Sequence, residues 1–181
     1  DADDASYFAR VHDQWASDVA AWESSGHGIA SVKANRPRLK VKPIFGCEAY
    51  FITDDCIEKG SKQRRYHLIL LAKNETGYVN LIRSKAAGHE MMYYRPRTTF
   101  AMLEEYHEGL VCQSACVQGI IQQHVLDGQF DDAYEWARRF KGLFGDDFYL
   151  EIQDHGLEFR NGWNDRKLDE YLVKLAHEEG I

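Results

Sequence analysis

Three side chains able to bind a metal stand beside apolar, strand-like runs. Glu48 follows Pro43-Ile44-Phe45 in Gly46-Cys47-Glu48, and His67 opens His67-Leu68-Ile69-Leu70-Leu71 after Tyr66. Cys116 closes Ser114-Ala115-Cys116, just beyond Gly109-Leu110-Val111-Cys112. In repeated β-α architectures, sites are built at strand ends. A carboxylate, an imidazole and a thiolate meeting there would suit zinc or a similar borderline metal. Each residue also has a plainer role: a strand-end carboxylate, a hydrogen-bonded core histidine and a buried cysteine.

Other candidates are less specific. His27, in Ser25-Gly26-His27-Gly28, reads on its residues as part of a Gly-flanked, helix-ending turn. Asp154 and His155, in Asp154-His155-Gly156, follow a strand-like run and have the residue types of a catalytic pair. Tyr93, Tyr94, Arg95 and Arg97 form an aromatic and basic segment that could stack on or clamp nucleic acid. The other reading is an interface loop packed against another domain, which the acidic total charge favours. The basic cluster Lys59, Lys62, Arg64 and Arg65 reads as a solvated loop, as charge runs usually do.

The elements that must position these residues follow from periodicity. Phe8, Val11, Trp15, Val19 and Trp22 predict an amphipathic helix over 5–24. Strands are expected over 41–52, 66–72, 109–113 and 148–152, the second buried on both faces as in a parallel sheet. Helices are expected from Asn74 to about Ala87 with Gly88 as the stop, with Tyr78, Leu81 and Ile82 on one face. Others are expected over 99–107, 118–126, 129–144 and 165–179. In the clearest of them Phe130, Ala133, Ala137, Phe140 and Phe144 recur at steps of three and four, and Gly145 ends the pattern. Strands alternating with helices predict a parallel α/β arrangement with right-handed crossovers, an open sheet or a barrel.

At 181 residues, one domain or a large part of one is expected. The net charge is −7, with 22 Lys and Arg against 29 Asp and Glu. A main DNA-holding surface would carry a basic excess, so this segment is a poor candidate for one. The four cysteines are sparse, no secretory segment precedes them, and Cys112 and Cys116 are not spaced as a CxxC pair. A reducing, cytoplasmic setting is expected. No apolar run reaches the length of a membrane span, and the first residue is Asp1, as in an excised fragment.

Three longer stretches carry a specific resemblance. They are Lys42-Pro43-Ile44-Phe45-Gly46-Cys47-Glu48-Ala49-Tyr50, the run from Tyr66 through Asn74-Glu75-Thr76-Gly77-Tyr78, and Phe144-Gly145-Asp146-Asp147-Phe148-Tyr149-Leu150-Glu151-Ile152 on to Gly156. Tyr93-Tyr94-Arg95-Pro96-Arg97 and Ser114-Ala115-Cys116 fall in the same order. Residues 41–181 resemble the PHP (polymerase and histidinol phosphatase) domain of bacterial-type replicative DNA polymerase III alpha subunits, cellular, phage-encoded or divergent. Residues 1–40 are expected to form an N-terminal helix and a divergent segment.

The resemblance implies an α/β fold, a distorted seven-stranded β/α barrel that is incomplete in this chain, with metal ligands at the C-terminal strand ends. The family supplies His-x-His and an Asp on the first strand, then the His of Thr-Asp-His-Gly. The Glu of Gly-Cys-Glu, the His of Tyr-His-Leu, a Cys and an Asp-x-His pair follow. Carried over by motif, Glu48, His67 and Cys116 stand in ligand positions, His27 is a fourth ligand in a remnant of Thr-Asp-His-Gly, and Asp154 and His155 fall at the mouth of the site or support its ligands. No His-x-His occurs, and the chain stops where Asp-x-His should begin. About half of the ligand set is therefore expected here.

Three functions are expected from this resemblance. The first is part of a DNA-directed DNA polymerase, with nucleotidyl transfer at a magnesium-dependent core elsewhere. Its partners would be other domains of the subunit, a proofreading exonuclease subunit, and DNA through the parent protein, with no membrane. The second is a zinc- or manganese-dependent phosphoesterase or 3′–5′ exonuclease. The third is a degenerate, non-catalytic interaction module. The first and third together are the favoured reading: polymerase by membership, scaffold with a partial metal site by local chemistry.

Overall fold

The computed structural model describes residues 43–53 and 64–181, together with Ser17. Apart from Ser17, the expected helix over 5–24 lies outside the described residues, as do His27, Cys56, Lys59 and Lys62. The chain divides into two compact units, Asp1–Pro43 and Ile44–Ile181. The second unit contains the sheet and the helices packed on it.

Strand β1 is Gly46–Phe51 and β2 is Tyr66–Ala72. Helices α1 (Glu75–Glu90) and α2 (Phe100–Tyr106) lead to β3, Leu110–Gln113. Helices α3 (Ile120–Leu126) and α4 (Phe130–Phe144) lead to β4, Phe148–Tyr149, and α5 is Asp165–Glu179. The sheet order is β1-β2-β3-β4.

The expectation of a parallel sheet is overturned for two of the three pairings. β1 pairs with β2 and β2 with β3 antiparallel, and only β3 and β4 run parallel. The helical connection does not itself decide the direction: α1 and α2 join the antiparallel β2 and β3, and α3 and α4 join the parallel β3 and β4. Nor is β2 buried on both faces. Tyr66, Leu68 and Leu70 are buried, whereas His67, Ile69 and Leu71 stay half-buried, the period of two that a one-sided strand shows.

The buried face carries Ala49, Phe51, Tyr66, Leu68, Leu70, Leu110, Cys112 and Phe148, all in one cluster with the helices. α4 is the centre of that layer. Ala133, Trp136, Ala137, Phe140 and Phe144 are buried on one stripe, and the Phe140 ring stacks on Phe148 at 5.4 Å. Phe130, expected in this stripe, is instead 41% exposed and packs its ring beside Tyr171.

α1 follows a different rule. Its buried residues are Gly77, Asn80, Leu81, Ser84 and Gly88, while Tyr78 and Ile82 face outward. The reason is close backbone approach: a Cβ on Gly77 would lie 1.8 Å from the Gly109 carbonyl oxygen. Gly88 does not stop this helix, which runs on to Glu90; it lies against Arg97, where a Cβ would sit 2.8 Å from the carbonyl oxygen. Asn74, Thr99 and Asn164 cap α1, α2 and α5 by accepting a backbone N–H from the first turn.

Candidate metal centre

The face of the sheet away from the helices holds the site. β1–β2 register sets Tyr50 directly opposite His67 and Glu48 opposite Ile69. Glu48 and His67 are therefore diagonal neighbours on one face, within reach for side chains of this length. The Glu48 Oε1 to His67 Nδ1 distance is 2.9 Å. The Tyr50 ring meets the imidazole edge-on, centroids 5.6 Å apart.

Cys116 arrives from a third element. After β3 the chain turns at Ala115, whose φ is 61°. It then runs past β2, where Gly119 bridges His67 and the His67 N–H donates to the Gln118 carbonyl at 3.0 Å. This brings Cys116 Sγ to 3.4 Å from His67 Nδ1, and the Gln118 N–H points at the same sulfur at 3.5 Å. The structure therefore gathers Glu48, His67 and Cys116 around one imidazole nitrogen. Tyr50 was missed in the sequence, although it lies two residues from Glu48 and so on the same strand face.

One shared nitrogen limits the chemistry. A thiol–imidazole–carboxylate relay needs both ring nitrogens, one for the nucleophile and one for the orienting acid. Here both neighbours sit on Nδ1, the arrangement of donors aimed at a common point. Around tetrahedral zinc, N···O and N···S donor separations come to roughly 3.4 and 3.6 Å. The separations in this protein are slightly shorter. Among the described residues no group of three or more His, Cys, Asp and Glu is arranged to hold a metal ion. Donor types and proximity thus fit part of a metal site, without a preformed cage.

The other two described cysteines, Cys47 and Cys112, are disfavoured as thiolates. Burial pushes the Cys47 thiol up, against a smaller opposing pull from Lys85, and burial pushes the Cys112 thiol well up. Both remain protonated at neutral pH. All three described cysteines are free.

The remaining predicted residues are not brought to this nitrogen. Asp154 is exposed and accepts the Gly156 N–H at 3.2 Å, closing a local turn. His155 is exposed, with Nε2 3.3 Å from Gln153 Oε1. His155 and Cys116 do line one small cavity with Glu151, Gln153 and Asp165. Asp165 was missed. It holds the 154–157 loop by accepting the His155 and Leu157 N–H groups at 2.8 and 2.7 Å. The Leu157 N–H, then that of His155, hold its carboxyl below the usual range against the opposing effect of burial.

The 93–97 segment splits. Tyr94 is 78% exposed with φ 58°. Arg95 is exposed and lies over the Tyr50 ring at 5.9 Å, so it borders the site. Arg97 is buried, with Nε donating to the Met91 carbonyl, and offers no surface grip on nucleic acid. In the predicted basic loop, Arg64 pairs with Asp127 at 2.6 Å.

The pattern of the PHP domain family matches residues 20–155. The chain belongs to the PHP domain family. It is 44% identical over 145 residues to the DNA polymerase III subunit alpha of Borreliella burgdorferi, covering 78% of this chain. The same protein of Treponema pallidum is 40% identical over 146 residues, and that of Aquifex aeolicus 38% over 147. This PHP chain spans 12% of the length of the first two relatives and 13% of the third. Its described part is a mixed α/β fold with a four-stranded sheet. No helix among the described residues is long and apolar enough to cross a membrane.

Proposed function

We propose that this chain is the PHP portion of a DNA-directed DNA polymerase of the polymerase III alpha type. It would act in replication mainly as a scaffold and protein-binding domain with a partial metal site. The observation that carries this is the 44% identity to a polymerase alpha subunit over 78% of the chain. The half-exposed sheet face bearing Glu48, Tyr50 and His67 supports a second point. It suits the interior wall of a distorted seven-stranded barrel, of which the four described strands would be a part. Partners in this reading are other domains of the subunit, a proofreading exonuclease subunit, and DNA reached through the parent protein, in the cytoplasm. Nucleotidyl transfer and its magnesium belong to a core elsewhere. The test is primer extension by the polypeptide that carries this chain in the cell, with wild-type Glu48 and with Glu48→Ala. Extension by both supports the scaffold role, extension lost with Glu48→Ala contradicts it, and no nucleotide incorporation by the wild type refutes polymerase membership.

The convergence of Glu48 and Cys116 on His67 Nδ1 favours a second reading, a metal-dependent phosphoesterase or 3′–5′ exonuclease. Glu48, His67 and Cys116 would hold zinc or manganese. A bound divalent metal lowers the pKa of its water and neutralises phosphate charge. Tyr50 orients the imidazole from the opposite strand, and Arg95 places a cation at the rim for a phosphate. Release of a labelled 3′ nucleotide, lost in Glu48→Ala, supports this reading. No release under zinc or manganese refutes it and leaves the non-catalytic scaffold.

A further inference from the structure

We infer that Gln122 is a positioning residue for Cys116, clamping the strained turn that carries the thiol to His67. This rests on the metal-site reading of Cys116.

The turn is unusual in its backbone. Ala115 is 1% exposed and has φ 61°, a conformation that a residue with a Cβ rarely adopts. Such strain persists only where the surroundings over-determine it. Gln122, on α3, is 1% exposed. Its Nε2 donates to Ser114 Oγ at 2.8 Å and to the Ala115 carbonyl at 2.9 Å. An amide nitrogen has two N–H groups, and both are directed at this turn, with the Glu151 carbonyl at the outer limit, 3.5 Å.

The orientation of the amide is fixed by chemistry. The Ala115 carbonyl can only accept, so the atom facing it must be the nitrogen. The amide oxygen is then left buried without a hydrogen-bond partner, which is destabilising in itself. Gly119 makes room for it: a Cβ there would lie 2.4 Å from Gln122 Oε1 and 2.0 Å from the Ser114 carbonyl oxygen. A buried amide with one orphaned end makes a poor structural filler. Its two donors hold the residues on the N-terminal side of Cys116, while the Gly119 N–H holds the Cys116 carbonyl at 2.8 Å from the other. Ser114 adds a tie to the strand beyond, accepting the Glu151 N–H on Oγ at 2.9 Å.

Substituting groups that orient a ligand typically weakens metal binding about 10–100-fold. The test is cobalt(II) titration of the whole protein, followed by thiolate-to-cobalt charge-transfer absorption, with thermal melting as the check on folding. Wild type should show the thiolate band and Cys116→Ser should lack it. Gln122→Met, similar in shape but without donors, should melt cooperatively, bind cobalt about 10–100-fold more weakly and show a weaker thiolate band at saturation. Ser114→Ala removes one tie with a smaller change and should shift the same readouts in the same direction; it decides the matter if Gln122→Met does not fold. Asn80→Leu removes a buried amide that donates to the Glu108 carbonyl and should leave cobalt affinity unchanged. Wild-type affinity and band in both Gln122→Met and Ser114→Ala overturn the inference, as does an equal loss in Asn80→Leu. Cobalt binding by wild type without a thiolate band overturns instead the metal reading of Cys116 on which it rests.

Discussion

Replacing Ala115 by glycine measures the strain in the Cys116 turn. Three contributions decide the outcome. A left-handed backbone costs a non-glycine residue roughly 1–2 kcal/mol, and glycine escapes that cost. The lost methyl is buried, 1% exposed, and its removal costs about 0.8 kcal/mol. Glycine also frees the unfolded chain, a further loss of about 0.4–1 kcal/mol. The sum leaves Ala115→Gly within about 1 kcal/mol of wild type. Ala137 provides the reference, being fully buried inside α4 with no strain to relieve. There the same methyl and the helix penalty for glycine add to about 2 kcal/mol of destabilisation. Urea unfolding followed by tryptophan fluorescence reads both, provided the m-values agree. The difference between the two variants should be about 1–2 kcal/mol in favour of Ala115→Gly. Equal losses at the two positions would show that the turn stores no strain, and would remove the reason for a clamp.

Phe140→Ala empties the space among Phe51, Phe100, Trp136 and Phe148 and should cost about 3–5 kcal/mol in chemical denaturation; a loss below about 1 kcal/mol would mean that α4 does not pack as described. Two glycine-to-alanine changes should have opposite signs. Gly77→Ala forces backbone against backbone at Gly109 and should destabilise by about 1–3 kcal/mol or more, whereas Gly142→Ala, with nothing near its Cβ, should stabilise α4 by about 0.5–1 kcal/mol. Asp165 has its carboxyl held down by backbone N–H groups, so its contribution to stability is present above the unfolded-state carboxylate pKa and is lost as pH falls through the lower folded value. Stability curves of wild type and Asp165→Asn should therefore converge in acid below about pH 4, and curves that stay parallel there would contradict that assignment.

Much of this arrangement was legible in the sequence because it rests on local pattern. The 3–4 spacing of Ala133, Ala137, Phe140 and Phe144 gave α4 directly, and α5 runs over the 165–179 expected for it. Direction of pairing was not legible. A continuous apolar run reads the same in a parallel or an antiparallel strand, and β2 reveals its one-sidedness only when His67, Ile69 and Leu71 are seen beyond the helix layer. α1 misled for a different reason. Its packing face is built of Gly77, Ser84 and Gly88, where close backbone approach replaces side-chain bulk, so an apolar stripe points to the wrong side. At the site, the motifs named Glu48, His67 and Cys116, and the fold then brought them to one nitrogen. Gln122 was invisible as a partner of Cys116, although a glutamine pair between Ile120-Ile121 and Val125-Leu126 is a signal: buried amides need something to hold.

The three donors sit on elements of very different resilience. His67 lies on β2, which is paired along both edges and covered by helices on its other face. Its neighbours Leu68 and Leu70 should be among the slowest backbone amides to exchange with deuterium, opening only with the whole domain. Cys116 rides on a non-helical turn whose geometry depends on a few side-chain ties, and such segments open in small local excursions. The sulfur is therefore expected to leave and return more readily than the imidazole. Deuterium uptake at Cys116–Gln118, compared with Leu68–Leu70, would report how often the site comes apart without the protein unfolding.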